Sequence, residues 1–355
     1  MRNISSRLTL PVCALGLIMC APVAEAACTP TGFIRDSLNL TAAMINPHGT
    51  VSGDVDATGC NIGIYYSSGH GKVTLANVHG ANYYGIVNNG ADVDISLSNI
   101  SDIGEKPFNG TQHGVGIYFA FGATSRGDIK GNIVSNYQKG GIVVNGNSGT
   151  TDIESNSVVG LGPVNFIAQN GIQAGFGANT NIKNNFVSGN SYTGANLAAS
   201  GGILVVGGPC YGGNATINTD VDNNIGLNND VGVWFTNLDA SCNPLPTPTK
   251  NTADGNVLIN NEINNTTGDG PTQGYQAGIA DQGDFDTIKN NSTCGPGYTP
   301  PGNATIAIFA IDTTATNNPR LQHNVTCQTS SPSVHSHATV HAAGAARKLK
   351  ANASR

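Results

Sequence analysis

A short signature, Gly followed by β-branched residues as in Gly141-Ile142-Val143-Val144, constrains this chain more than anything else in it. It returns with Ile64, Ile86, Ile117, Ile142, Ile172, Ile203, Val233, Ile279 and Ile308 as anchors, so that the units differ in length while the signature does not. A second signature places an aliphatic residue three positions before an Asn: Ile129/Asn132, Ile153/Asn156, Ile182/Asn185, Val221/Asn224, Leu258/Asn261, Ile288/Asn291 and Leu321/Asn324, with Asp54, Asn77 and Asn99 in the matching earlier slots. Spacing that is constant inside a unit and variable between units describes a solenoid with loops of variable length.

Residue type selects the kind of solenoid. Helical repeats need Ala, Leu, Glu and Lys at period 3.6, whereas these units alternate Ile and Val with small polar residues and are rich in Gly and Asn. Leucine-rich repeats would be built on Leu, and propeller blades need about 40 to 50 residues each. The shortest unit, from Ile64 to Ile86, holds three short strands and three bends. The expectation is an all-β, single-stranded right-handed parallel β-helix of nine to ten coils over 51–327. Coils stacked about 4.8 Å apart make a rod roughly 40 Å long. An Asn at each bend bonds the Asn above and below and satisfies turn backbone that would otherwise be buried unpaired.

Residues 1–26 read as a secretory signal: Arg2 and Arg7, an apolar run from Leu8 to Val23, then Ala24-Glu25-Ala26 as a small-x-small cleavage site. The apolar run is too short and too proline-interrupted to span a bilayer. A secreted or periplasmic location follows, and it suits the six cysteines beyond the signal. Six allow fifteen pairings, but near-identical spacings between consecutive cysteines favour Cys28–Cys60, Cys210–Cys242 and Cys294–Cys327, and no Cys-x-x-Cys supports metal binding instead. Charged residues are only 11% and the net charge is −6, which argues against a nucleic-acid partner.

Residues 27–50 are expected to cap the first coil, with Phe33, Ile34, Leu38, Leu40 and Met44 as the plug. Residues 328–355 carry Ser, Ala, Lys, Arg and His335, His337 and His341 with no strand pattern, and read as a disordered tail with at most weak metal affinity.

The two signatures together resemble the pectate lyase-like superfamily of right-handed parallel β-helix proteins, and the resemblance covers essentially all of the chain after the signal. The pattern is fold-wide, shared by polysaccharide lyases, glycoside hydrolases, epimerases, tailspikes and adhesins, so it bears on architecture far more than on chemistry. It implies a ligand groove along the sheet of Gly-Ile strands. Long connections flank that sheet, in the gaps 99–117, 156–172, 185–203 and 261–279 on one border, and from Ile203 to Val221 and Val233 to Leu258 on the other. Strand alternation turns Tyr65, Val87, Tyr118, Val143, Gln173, Leu204, Trp234, Ala280 and Phe309 outward in one row. Its aromatic rings would stack on sugars; equally, loops or a second subunit along this apolar strip would cover them.

The motifs of the inverting hydrolases of the fold are met only by Gly69-His70-Gly71 and Asn218-Thr219-Asp220, in reversed order and several coils apart, and both are read as chance matches. Pectate lyases require acidic calcium ligands and a basic residue. Here Asp281, Asp284 and Asp286 have ligating spacing, although turn-forming Asp is the commoner meaning of such a run. The residues entering successive Gly-Ile strands give the better cluster: Tyr84 as proton donor, His113 as general base and Lys139 beside a substrate carboxylate, with Asn170 and Asp230 as substrate contacts and Asp102 and Glu105 from the preceding loop. Structural hydrogen bonding is the competing role for all of them. Two functions remain from sequence alone: a polysaccharide lyase or hydrolase, or a non-catalytic glycan-binding or structural surface protein.

Overall fold

The computed structural model describes residues 27–120, 124–146, 149–196, 198–265, 274–299 and 306–327. The signal segment, the tail and its three histidines lie outside the described residues. Within them the regular structure is β-strand throughout, apart from one 3-10 turn at Pro209–Tyr211.

Two long sheets hold all the described strands. The first is 11-stranded. It opens with an antiparallel hairpin, Thr29–Arg35 against Leu38–Ile45, and continues in parallel through Ile62–Tyr66, Tyr84–Asn88, Val115–Phe119, Gly140–Asn145, Asn170–Gly175, Gly201–Gly207, Val231–Asn237, Tyr275–Gln282 and Ala307–Asp312. Between visits to this sheet the chain adds short strands to the second, and from Asp92 onward it adds two each time, one on either side of a bend, such as Thr151–Glu154 and Ser157–Val164. Each pass pairs in parallel with the passes before and after it. Apolar side chains from both sheets, among them Ile64, Ile142, Ile153 and Val158, meet in one continuous core.

The anchors stack as the spacing predicts, Ile64 on Ile86, Ile117, Ile142, Ile172, Ile203, Val233 and Ile279. The last step departs from expectation: Ile279 pairs with Ile311, while Ile308 pairs with Gln276 and Phe309 falls out of the outward row. A slip of three positions still delivers an Ile to the core, so the pattern alone does not distinguish the two registers.

The Gly before each anchor has a steric cause. A Cβ on Gly171 would lie 2.6 Å from the Gly202 carbonyl oxygen of the next pass and 2.4 Å from Val187 Cγ1 across the core. The same clash with the next pass recurs at Gly63, Gly85, Gly116, Gly141, Gly202, Gly232 and Gly278. Any side chain there would force the stacked passes apart.

The Asn column is present and continuous: Asn132, Asn156, Asn185, Asn224, Asn256, Asn291 and Asn324. Both the backbone N–H and Nδ2 of Asn156 donate to Asn185 Oδ1, at 2.9 and 3.0 Å, and Nδ2 also donates to the Ile129 carbonyl at 2.8 Å. The residue before each ladder Asn is left-handed, with φ between 50° and 68° at Gly131, Ser155, Asn184, Asn223, Gly255, Asn290 and His323, which makes the sharp bend.

Two expectations are corrected. Asn256 holds the ladder position assigned to Asn261: Ala253 is the small core residue before the bend, and Leu258 lies after it, where Gly226 leaves room on the neighbouring pass. Asp54, Asn77 and Asn99 form a separate, outward column, with Asn77 donating to Asp54 at 2.6 Å and Asn99 to Asn77 at 2.7 Å, and Asn99 pairs with Ile133 rather than Asn132.

The three disulfides are Cys28–Cys60, Cys210–Cys242 and Cys294–Cys327, with Cα separations of 5.3, 5.0 and 4.8 Å. They fit an oxidising, extracytoplasmic compartment. No described helix is long and apolar enough to cross a membrane. The opening hairpin does more than plug the core. Ala43 and Met44 pack on the core, but Leu40, Ala42 and Phe33 join the cluster on the outward side of the first sheet, and Ile34 and Leu38 remain exposed.

Candidate functional site

The outward row of the first sheet is in register as expected, Tyr65 beside Val87, Tyr118, Val143, Gln173, Leu204, Trp234 and Ala280. It is not an open floor, because every one of these side chains is buried. Phe33 stacks on Tyr65 with ring centroids 5.9 Å apart, Tyr84 stacks on Tyr118 at 4.8 Å, and the Arg35 guanidinium lies 5.9 Å over Tyr118. The hairpin thus covers with its own side chains the rings that a sugar would need. Farther along, Gln173 donates to Asn145 Oδ1 at 2.9 Å and Trp234 Nε1 to Gln282 Oε1 at 3.2 Å.

The strand-entry cluster separates into four environments. His113 sits with Glu105, whose Oε1 is 2.8 Å from Nε2, and stacks on Tyr83 at 3.7 Å, with Asp36 of the hairpin 3.8 Å from Nδ1. Lys139 lies elsewhere: fully buried, its Nζ donates to the Ala168 carbonyl at 2.7 Å, and burial lowers its pKa to about 7. The Tyr84 phenol is buried beside Arg35, and desolvation pushes its pKa well above the ordinary tyrosine range. Asp102 pairs with Lys106 and accepts from Asn136 Nδ2 at 3.0 Å. Register explains the separation. Tyr84 and Asn170 share a row that passes through Val115 and Gly140, so His113, two positions before that row, and Lys139, one before it, never align.

Asp230, predicted as a substrate contact, is buried and held by hydrogen bonds within the chain. It accepts from Ser191 Oγ at 2.7 Å, Tyr192 N at 2.8 Å, Ser200 N at 2.9 Å and Asn265 Nδ2 at 3.2 Å, and burial raises its pKa to about 6. Asn170 Oδ1 accepts from Gly201 N at 3.2 Å.

The Asp281, Asp284 and Asp286 run does not converge on a point. Asp281 and Asp286 are buried together, and desolvation followed by the neighbouring carboxylate holds Asp281 well above the usual carboxylate range. Asp284 Oδ1 instead accepts from Asn318 Nδ2 at 2.9 Å. Among the described residues no group of three or more His, Cys, Asp or Glu side chains is disposed to hold a metal ion.

The structure also brings together residues whose sequence motif reads as a chance match. His70, Asp92 and Arg126 stand in one register on three successive passes. They line an open cavity of about 410 Å³ with Gly69, Gly90, Ala91, Thr124 and Gly149. Asp92 Oδ2 lies 2.9 Å from Arg126 Nε and 3.4 Å from His70 Nδ1, so one carboxylate orients both side chains and leaves the outer guanidinium nitrogens and His70 Nε2 directed away from it. Comparison with protein-family models gives no match, and comparison with curated proteins gives none either.

Proposed function

We propose that this chain is a single right-handed parallel β-helix, exported from the cytoplasm, that holds an acidic polysaccharide at the His70, Asp92 and Arg126 cavity. Right-handed winding is the reading that parallel crossover connections favour in nearly all sheets. Export is supported by the three disulfides together with the signal-like segment 1–26. Binding without cleavage is favoured over the lyase or hydrolase reading because Lys139 and the Tyr84 phenol are buried, and the His113 and Glu105 pair is engaged with Tyr83 and Asp36.

The observation that carries the reading is the in-register column of Arg126, Asp92 and His70 at an open cavity. A half-exposed Arg whose Nε is fixed by a carboxylate presents its remaining N–H groups to a planar anion such as a uronate carboxylate. Calorimetric titration with polygalacturonate and with neutral dextran tests it. The acidic polymer is expected to bind the parent protein, and the Arg126→Ala and His70→Ala double variant to bind it at least tenfold more weakly, with dextran inert throughout. Equal binding by parent and variant removes the site. A lyase is the second reading, favoured by His70 Nδ1 facing Asp92 in a way that leaves Nε2 to act as base. It would announce itself by unsaturated uronate ends formed by the parent and lost in the His70→Ala variant.

A further inference from the structure

On a surface of Asn, Ser, Thr and Gly, one line of large apolar side chains faces solvent. Ile133, Ser157, Phe186, Ile225, Val257, Ser292 and Val325 stack in register along the second sheet, immediately after the Asn ladder. The five apolar members are between 36% and 60% exposed. The next outward column, Ser135, Val159, Ser188, Leu227, Ile259 and Cys294, broadens the strip with half-buried Val, Leu and Ile.

A second, independent observation extends it toward the first coils. The bend positions that hold Gly, Ser, Asn or His farther along hold Leu75 and Leu97 at φ 52° and 49°, and these are 68% and 62% exposed. A Leu in the left-handed region costs about 1–2 kcal/mol against Gly. Side chains this exposed recover little of that cost by packing within their own chain. Strain of this sort, coupled to exposed apolar area, marks a surface that is completed by contact.

We infer that this face is the interface of a homodimer, two copies packing strip to strip. The face repeats at the strand spacing, so a second copy matches it in period and length. About nine passes at ~4.8 Å and a width of ~15 Å give roughly 600 Å² per copy, or roughly 1,200 Å² in all, at the lower end of specific interfaces. Its border before the bend is electrically balanced. Lys130, Glu154, Lys183, Asp222, Asp254 and Lys289 form one column, and Lys130–Glu154, Lys183–Asp222 and Lys289–Asp254 pair at 3.7, 3.4 and 3.2 Å. Within that column three lysines offset three carboxylates, and Lys130 also pairs with Asp128 and Asp152 at 2.9 and 3.6 Å.

Sedimentation equilibrium of the oxidised protein across micromolar concentrations tests the interface. A reversible dimer is expected, with its dissociation constant raised at least 100-fold in the Phe186→Asp and Ile225→Asp double variant while the melting temperature of the monomer holds. Leu97→Asn guards against misfolding as an explanation, since relieving the left-handed Leu should raise the melting temperature of the monomer while still weakening the dimer several-fold. A parent protein that remains monomeric throughout that range, or a dimer indifferent to all three substitutions, overturns the inference.

Discussion

Lys139 shows how a residue that sequence places beside a strand entry can lie fully buried in space. It stands just before an anchor strand, yet the strand entry turns its side chain inward, where burial lowers its pKa to about 7 and the Ala168 carbonyl takes one N–H. The sign of the consequence is fixed. An ordinary lysine in the unfolded chain holds its proton to about pH 10, so between about 7 and 10 the unfolded state binds more protons than the folded one, and stability rises with pH across that window. Lys139→Met should therefore be more stable than the parent at pH 6 by about 1–3 kcal/mol, with the difference shrinking toward pH 10. Chemical denaturation at the two pH values measures this, and a constant offset would show that Lys139 is not desolvated. The same distinction between sequence and space limited what could be read of the site. His113 and Glu105 lie eight positions apart in one loop, and their pairing was within reach of the sequence. His70, Asp92 and Arg126 were not, because they align only when insertions between anchors are placed correctly: His70 and Asp92 each follow their anchor by six positions, Arg126 by nine.

At the scale of the strand and bend, the pattern was legible because stacking makes one position do the same work on every pass. Ile anchors and ladder Asn repeat since each is held by its counterparts above and below. The pattern loses its phase where a substitution keeps the chemistry and shifts the position, as at Ala253 with Asn256 and at Ile311. The role of the Gly column could not come from spacing, because it depends on the carbonyl of the next pass. That role separates two glycines sharply. Gly171→Ala should cost more than about 3 kcal/mol, since its Cβ would meet the Gly202 carbonyl and Val187 at once. Gly162, at φ 82° with nothing within 4 Å of an added methyl, should cost only about 1 kcal/mol through backbone strain. Equal shifts in denaturation midpoint for the two would mean that the passes can part to admit a side chain.

Across the whole molecule, each pass touches mainly its neighbours, so stability is a sum of local terms and the ends set where unfolding begins. The two ends differ. At the first, the hairpin lies against the sheet with Leu40 and Ala42 buried, and Cys28–Cys60 ties it down. At the last, Arg320–Gln322 and Val325–Thr326 are exposed along their length, and Cys294–Cys327 joins that pass to the one before it. A disulfide closing a loop of this size is ordinarily worth about 2–4 kcal/mol. In a quasi-one-dimensional stack that contribution belongs to the final pass rather than to the molecule. Replacing both Cys294 and Cys327 by Ser should therefore speed amide exchange across 307–327 by at least tenfold and leave the central strands Gly140–Asn145, Asn170–Gly175 and Gly201–Gly207 protected as in the parent. Uniform loss of protection from end to end would instead show one cooperative unit, and the account of separately stacked passes would fall with it.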